Sequence, residues 1–450
     1  MMARSRSRWR QMRSAAGLLA GLVAVAAAAS GIAVAASPVR EVTSPAGVRA
    51  WLVEDHSVPL FAIHFAFMGG SAREPTGKEG LASVLASMLL EGAGADDAAA
   101  FKERLAASSV RMGFTASRDA IVGTVEGLTR RREEAVALLA AVVGTPRLED
   151  ESLERIRART LAELAFADRH PRSIALNDWY ARAFAGHPYG RRAEGTPESI
   201  AGITRVDLES FRRQLFSRAS LRVVAVGDID AASLGALLDR VFAGLPVELA
   251  MAPPRTAPLR EDAGVALVDR DLPSAIAIFG LPGIPASHPD YFAQLVMSQI
   301  LGSGQFGSRL LDAVRVERGL AYSVSMAPLD DGYASLLLGE VETANDKAAA
   351  ALEVIRRTLA RFAAEGPTEE EVARAKRYLI GSLPLGLDTS VRIAETLLAA
   401  RLAGHGPDYI RERQQAIAAV TRDDVDRVAA RLLQTDRMIV TVVGRAASSR

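Results

Sequence analysis

Three stretches of this 450-residue chain recur once, in the same order. The apolar run 275–279 with Gly280-Leu281-Pro282-Gly283 echoes 63–70, the helical pattern 291–301 echoes the one that follows Gly80, and 438–443 with Gly444 echoes 223–227. A chain that repeats its elements at a near-constant offset is built from similar units, here two of roughly 200 residues each. Within each unit, strands cluster in pairs separated by helices. That argues for an α+β sandwich over strict strand–helix alternation. Between the repeats, 246–262 holds Pro246, Pro253, Pro254 and Pro258 without a clear period and reads as an extended linker. The expected domains are 37–245 and 263–450.

In the first unit, 48–53 and 60–68 read as strands joined near Asp55-His56, and Pro59 places the start of the second at a sheet edge. A helix is expected over 78–91, and another over 96–107 with Asp96 as its N-cap. The segments 110–114 and 120–126 read as a strand pair turning at Ser117-Arg118-Asp119. Helices are expected over 130–143, 149–168, 171–184, 206–216 and 231–242, with a buried strand over 221–226.

Composition narrows the function. The 54 Lys+Arg against 53 Asp+Glu leave a formal charge of +1, which argues against a dedicated nucleic-acid binder. With no Cys, there is no disulfide, thiolate metal site or cysteine nucleophile. The histidines are His56, His64, His170, His187, His288 and His405, and no two are four apart, so a local helical His pair is absent. The N-terminus carries Arg4, Arg6, Arg8, Arg10 and Arg13, an apolar run from Ala15, and the small-x-small signal Ala33-Val34-Ala35. This reads as a secretory signal peptide over 1–36, which would make the mature chain periplasmic in a bacterium with two membranes. The run is long enough to leave an uncleaved anchor as the alternative. After cleavage no stable membrane insertion is expected.

The most informative segment is Gly69-Gly70-Ser71-Ala72-Arg73-Glu74-Pro75-Thr76-Gly77-Lys78-Glu79, followed by Gly80-Leu81-Ala82 and an apolar helix. Leu81, Val84, Leu85, Met88 and Leu89 repeat at helical spacing, and Ser83, Ala86 and Ser87 share a neighbouring strip. This framing resembles the metal-binding segment of the insulinase/pitrilysin family of zinc peptidases, where the same Gly-rich approach leads into a helical H-x-x-E-H. Ser83 and Ser87 stand where the family carries its two His, and Ala86 where it carries Glu. Glu163 falls at the position of the third zinc ligand; Ile156 replaces an acidic residue often found one helical stretch earlier. Two hydroxyls and a methyl cannot supply imidazole ligands or a carboxylate base, so no metal is expected in this chain. The plain reading of Glu163 is a solvated helix residue. His187-Pro188-Tyr189-Gly190 resembles a family loop, and its plain reading is structural.

The second unit keeps more. Gly302-Ser303-Gly304-Gln305-Phe306-Gly307 leads into an expected helix ending near Arg318, with Gly319 at its C′ position and a strand from Leu320. The turn lacks the Gly-Lys-Ser/Thr ending of a P-loop. The phrase Arg315-Val316-Glu317-Arg318-Gly319-Leu320-Ala321-Tyr322 resembles the family's C-terminal-domain signature. That resemblance implies that Arg315 holds a substrate carbonyl and Tyr322 donates to the oxyanion formed at the scissile carbon. The residue types suit the task, because amide hydrolysis builds negative charge that preorganised donors stabilise. Spacing alone favours the plain reading, with Arg315 as a helix C-terminal charge and Tyr322 as a core strand tyrosine.

The resemblance implies two homologous α+β sandwich domains forming half of a clamshell. The family includes two-chain peptidases in which one subunit carries zinc and the other the Arg/Tyr pair. The expected function is therefore a zinc-less subunit of a heterodimeric metallopeptidase. It would act on peptide or unfolded polypeptide with a zinc-bearing homologous partner, with zinc in that partner and no cofactor of its own. The alternative is a non-catalytic peptide-binding or scaffold protein of the same fold. An enzyme with new chemistry has no nucleophile–base pair to support it.

Overall fold

The computed structural model describes residues 38–252, 254–303, 305 and 307–445. The Arg-rich leader with its cleavage signal, and Gly304 and Phe306 of the Gly-rich turn, lie outside the described residues. Strands β1 (Arg40–Thr43), β2 (Arg49–Glu54), β3 (Leu60–Met68), β4 (Arg111–Ala116), β5 (Ala120–Leu128) and β6 (Leu221–Gly227) form one sheet, in the order β1-β2-β6-β3-β5-β4. Strands β7 (Val265–Asp269), β8 (Ser274–Pro282), β9 (Ala321–Asp331), β10 (Ala334–Ala344) and β11 (Ile439–Gly444) form a second, in the order β7-β11-β8-β10-β9. Without β1 the two orders are the same. Directions match as well: β2/β6 and β7/β11 are parallel and the remaining pairs antiparallel.

The repeat extends to single contacts. Phe65 of β3 lies opposite Gly123 of β5, and Phe279 of β8 lies opposite Gly339 of β10. A Cβ at Gly123 would meet the Phe65 ring at 2.2 Å, and one at Gly339 would meet the Phe279 ring at 2.3 Å. Each glycine is the floor on which its phenylalanine lies, and no other residue fits there.

β3 and β8 are mostly apolar because both faces of each strand are covered; the exceptions are the buried His64 in β3, 3.7 Å from Glu126, and Ser274 at the start of β8. Phe61, Ile63, Phe65 and Phe67 point into the first domain's own helical layer. Ala62 and Ala66 face the opposite way, together with Trp51, Val53, Val224 and Val226. That back face is covered by Ile393, Ala394, Leu397 and Leu398 of the Ser390–Leu402 helix, which belongs to the second half of the chain. The exchange is reciprocal. Ala175, Trp179, Tyr180 and Ala183 of the Pro171–Ala183 helix, from the first half, cover Ile276, Ile278, Leu336 and Ile439 of the second sheet. Trp179 Nε1 donates to Ile439 O at 3.1 Å. Arg182 of one covering helix donates to Val440 O, and Arg401 of the other to Val223 O. Val440 pairs with Phe279 and Val223 with Phe65, so the two arginines bind equivalent carbonyls. The chain is two homologous α+β sandwich domains, each roofed by a helix of the other, set as half of a clamshell.

Several local expectations are corrected. β3 is a central strand, and Pro59 is tolerated because it precedes the first ladder residue. The expected 78–91 helix is shorter, Leu81–Met88, since Gly80 takes φ 91 at its start. Asp97, in place of Asp96, caps the Ala98–Ser108 helix by accepting from Ala99 N and Ala100 N; Asp96 pairs with Arg104 instead. The expected helix ending near Arg318 is a short α-turn, Arg309–Leu311, continued by a π-helical turn, Asp312–Val316. The expected linker 246–262 is without helix or strand in its described part up to 260, and its end enters a 3₁₀ turn, Glu261–Ala263.

Candidate functional site

The approach to the Leu81–Met88 helix is pinned by main-chain bonds. Ser71 N donates to Ser117 O and Ala72 N to Arg118 O, each at 3.0 Å. Gly70 lies against this turn so closely that a Cβ would fall 1.9 Å from Ser117 O. Glu74 then turns back over the helix start, accepting from Gly80 N at 3.0 Å and Ala82 N at 2.7 Å. Burial raises the Glu74 carboxyl to about 8 against the opposing pull of those two amides. Leu81, Val84, Leu85 and Met88 are buried against the Asp150–Ala167 and Arg205–Leu215 helices. The helix thus has a full structural occupation that requires no metal.

Ser83 and Ser87 are half-buried and Ala86 is buried. Glu163 projects from the Asp150–Ala167 helix with 65% of its side chain exposed, 3.5 Å from Arg159. Two hydroxyls, a methyl and one solvated, ion-paired carboxylate do not make a zinc site. Among the described residues, no group of three or more His, Asp or Glu is gathered as a metal ion would need.

His187 and Tyr189 serve the seam between the domains. His187 Nδ1 accepts from Tyr189 N at 3.1 Å, and Nε2 bonds Arg255 O at 3.0 Å, which tethers the segment between the domains. Tyr189 Oη donates to Asp119 at 2.6 Å and accepts from Tyr333 N at 3.0 Å. Asp119 Oδ2 also accepts from Gly332 N at 3.0 Å. The β4–β5 turn therefore meets the β9–β10 turn, its counterpart in the repeat. Burial raises the Asp119 carboxyl, and burial together with the charge of Asp119 pushes Asp331 up to about 6.

The structure brings Arg315 and Tyr322 together. Arg315 lies in the π-helical turn, where Glu317 N bonds Asp312 O at 2.9 Å. Such wide turns insert a residue into a helix and are frequent at functional sites. The turn ends as expected in left-handed Gly319, φ 58. Its base is held by Arg309, which bonds both carboxylate oxygens of Glu371, at 2.7 and 2.8 Å. Burial opposes ionisation of Glu371, yet the bonds from Arg309 and Thr368 hold its carboxyl down at about 2.

β9 then runs along the outer edge of the second sheet. Its register with β10 slips where Glu342 faces Ser323 and Thr343 faces Ala321, leaving Tyr322 as the extra residue of a bulge. Bulges re-aim a side chain and bend the strand. Tyr322 is 73% exposed, so it is no core tyrosine. The Arg315 guanidinium lies 5.3 Å from the centroid of its ring. Among the described residues the Tyr322 hydroxyl has no hydrogen-bond partner. The residue identities were legible in the sequence; the π-turn and the bulge carry no sequence signal.

Residues 49–197 match the family described as Insulinase (Peptidase family M16), and residues 202–379 match its Peptidase M16 inactive domain. A non-peptidase homolog from Helicobacter pylori is 29% identical over 339 residues, covering 75% of this chain and 78% of that protein. An uncharacterized zinc protease of Mycobacterium leprae is 31% identical over 387 residues, covering 80% of this chain and 85% of that protein. The crystal structure of a peptidase M16 inactive domain from Pseudomonas fluorescens superposes with a TM-score of 0.85 at 26% identity, covering 92% of this chain and 99% of that one. The relatives carry opposite descriptions, so the residues must decide, and here the first domain lacks the metal-holding set while the second presents Arg315 and Tyr322. The chain belongs to the insulinase family of M16 peptidases.

Proposed function

We propose that this chain is the zinc-less subunit of a two-chain metallopeptidase. In this reading Arg315 holds a backbone carbonyl of an extended peptide, and the Tyr322 hydroxyl donates to the oxygen on which charge builds during hydrolysis at a partner's zinc site. The observation that supports it is the conjunction of two backbone irregularities. A π-turn carries Arg315 and a bulge carries Tyr322, side by side, at the start of an exposed sheet edge. Regular backbone would be more stable at both places, so both departures call for a reason outside folding. The edge of β9 adds unpaired main-chain groups of the kind that take up an extended peptide.

The Arg-rich leader supports a periplasmic location for the mature chain and its partner. The test is reconstitution. The mature chain is mixed with a homologous chain that carries an intact H-x-x-E-H, and cleavage of a fluorogenic peptide is followed. Activity absent from either chain and present in the mixture is the expected result. A partner fully active by itself would replace this reading with that of a peptide-binding scaffold.

A further inference from the structure

An open cavity of about 810 Å³ lies where the first sheet meets the C-terminal end of its covering helix, Ser390–Leu402. Four guanidinium groups border it: Arg49 of β2, Arg218 from the turn before β6, Arg222 of β6, and Arg401 of the covering helix. The hydrogen bonds that Arg218, Arg222 and Arg401 donate all go to main-chain carbonyls. Arg218 donates to Ala46 O, Arg222 to Ala219 O and Leu221 O, and Arg401 to Val223 O and Arg49 O. The Nε of Arg218 is buried without a partner. Among the described residues none of the four is ion-paired with a carboxylate, and Glu41 is the one acid bordering the cavity.

A guanidinium offers about five donors, so much of this capacity is unspent. The groups also work against one another. Burial and then the charge of Arg222 push Arg401 down to about 10, and burial and Arg49 lower Arg222. Gathering four like charges around one carboxylate is costly unless an anion completes the set.

We propose that this cavity binds a multivalent phosphate-class oxyanion, held by Arg49, Arg218, Arg222 and Arg401 across the seam between the two domains. Forked guanidinium donors match phosphate geometry, and the excess of cations favours a ligand with several charges over orthophosphate. The cavity is of the size that takes a small organic ligand. The inference stands apart from the peptidase reading, since Arg315 and Tyr322 lie in the other domain. Because Arg401 comes from the second half of the chain and the other three from the first, occupancy would tie the halves together. Two sources share this chemistry: a soluble oligophosphate, and the phosphorylated headgroup of an anionic lipid.

Trp51 borders the cavity beneath Arg401, whose guanidinium is 5.3 Å from its ring, and serves as reporter. The mature chain is titrated with sodium tripolyphosphate at low salt by calorimetry and tryptophan fluorescence, with orthophosphate in parallel. Saturable binding at one site, at least about tenfold tighter than orthophosphate, is expected, with a thermal midpoint raised by the ligand. The Arg49→Gln/Arg222→Gln variant, which removes no ion pair, should weaken binding by about tenfold or more with unchanged circular dichroism. Cosedimentation with anionic phospholipid vesicles, lost in that variant, would assign the site to a lipid headgroup; tripolyphosphate binding without cosedimentation would assign it to a soluble ligand. No binding of tripolyphosphate at millimolar concentration, or equal binding by the double variant, would overturn the proposal.

Discussion

The same place in the fold is built twice, once regular and once not. Ahead of the first sheet's edge strand runs the Ala98–Ser108 helix, which ends in left-handed Ser109, φ 55, and passes into β4. β4 and β5 then pair without a slip from Arg111↔Glu126 to Ala116↔Ile121. Ahead of the second sheet's edge strand the helix opens into a π-turn, ends in left-handed Gly319, and passes into a strand bulged at Tyr322. The domain without the Arg/Tyr pair has the regular backbone at this place; the domain with it has the irregular one. Conversely, the helix that would carry zinc, Leu81–Met88, is regular and well packed whatever occupies 83, 86 and 87. A scaffold keeps helices because they fill a core. It keeps irregularities when side chains must be aimed.

The strongest way to break this comparison is to ask whether the two domains are separable at all. Trp179 is fully buried on the second sheet but belongs to the first half, and a Cβ at Gly280 would meet its ring at 2.3 Å. Trp179→Ala should cost about 3–5 kcal/mol in urea unfolding, by cavity formation and the loss of the bond to Ile439 O. A loss below 1 kcal/mol would mean that the covering helices are loosely held and the domains independent.

The next effect concerns the irregular backbone. In the reconstituted pair, Tyr322→Phe removes one hydroxyl and should lower kcat by roughly 100–1,000-fold, about 3–4 kcal/mol, with little change in KM. Arg315→Ala should move both constants, because a carbonyl is held before and during reaction. Wild-type kcat from an intact Tyr322→Phe complex would remove the role assigned to the bulge.

What the sequence disclosed follows the same division between filling and aiming. Leu60–Met68 and Ala231–Phe242 were legible to the residue, because continuous burial and helical periodicity each leave a pattern. β1 left none, since only Val42 of its four residues is buried. The neighbouring acids Asp96 and Asp97 are equally good caps on paper, and the bridge between Ala93 and Asp96 decides between them. An apolar stripe on 171–183 announces a packed helix without saying which sheet it covers. At the candidate site, Arg315 and Tyr322 were legible as residues through a resemblance. The four cavity arginines were not, because they come from three distant segments and meet only in the fold.

A smaller effect tests the meeting of the two hairpin turns. Asp331 is raised to about 6, first by burial and then by Asp119, so the folded chain holds this proton more tightly than the unfolded one. Its contribution is complete below the unfolded value, near 3.8, and is lost as pH rises through about 6. Between pH 5 and pH 7.5 the thermal midpoint should fall by about 1–3 °C on this account. Asp331→Asn should remove that part of the slope, and an unchanged slope would show that the turns do not govern it.

The smallest expected effect is the most discriminating. Ser83 and Ser87 stand at the two imidazole positions of the family's motif, and among the described residues their side chains make no hydrogen bond. If the first domain is a core element only, Ser83→Ala/Ser87→Ala should change stability by no more than about 0.5 kcal/mol, with the better helix propensity of alanine acting in its favour. Activity of the reconstituted pair should stay within about twofold, since neither hydroxyl has a part in the proposed chemistry. Dialysis against trace zinc should leave wild type and variant alike with less than about 0.1 zinc per chain, because hydroxyls and one exposed carboxylate cannot compete with water for the ion. A tenfold fall in activity, or tightly held zinc in wild type that the variant loses, would mean that the regular domain works on the substrate after all. The comparison between an aiming domain and a filling one would then be wrong in its first term, whatever Tyr322→Phe had shown about the second.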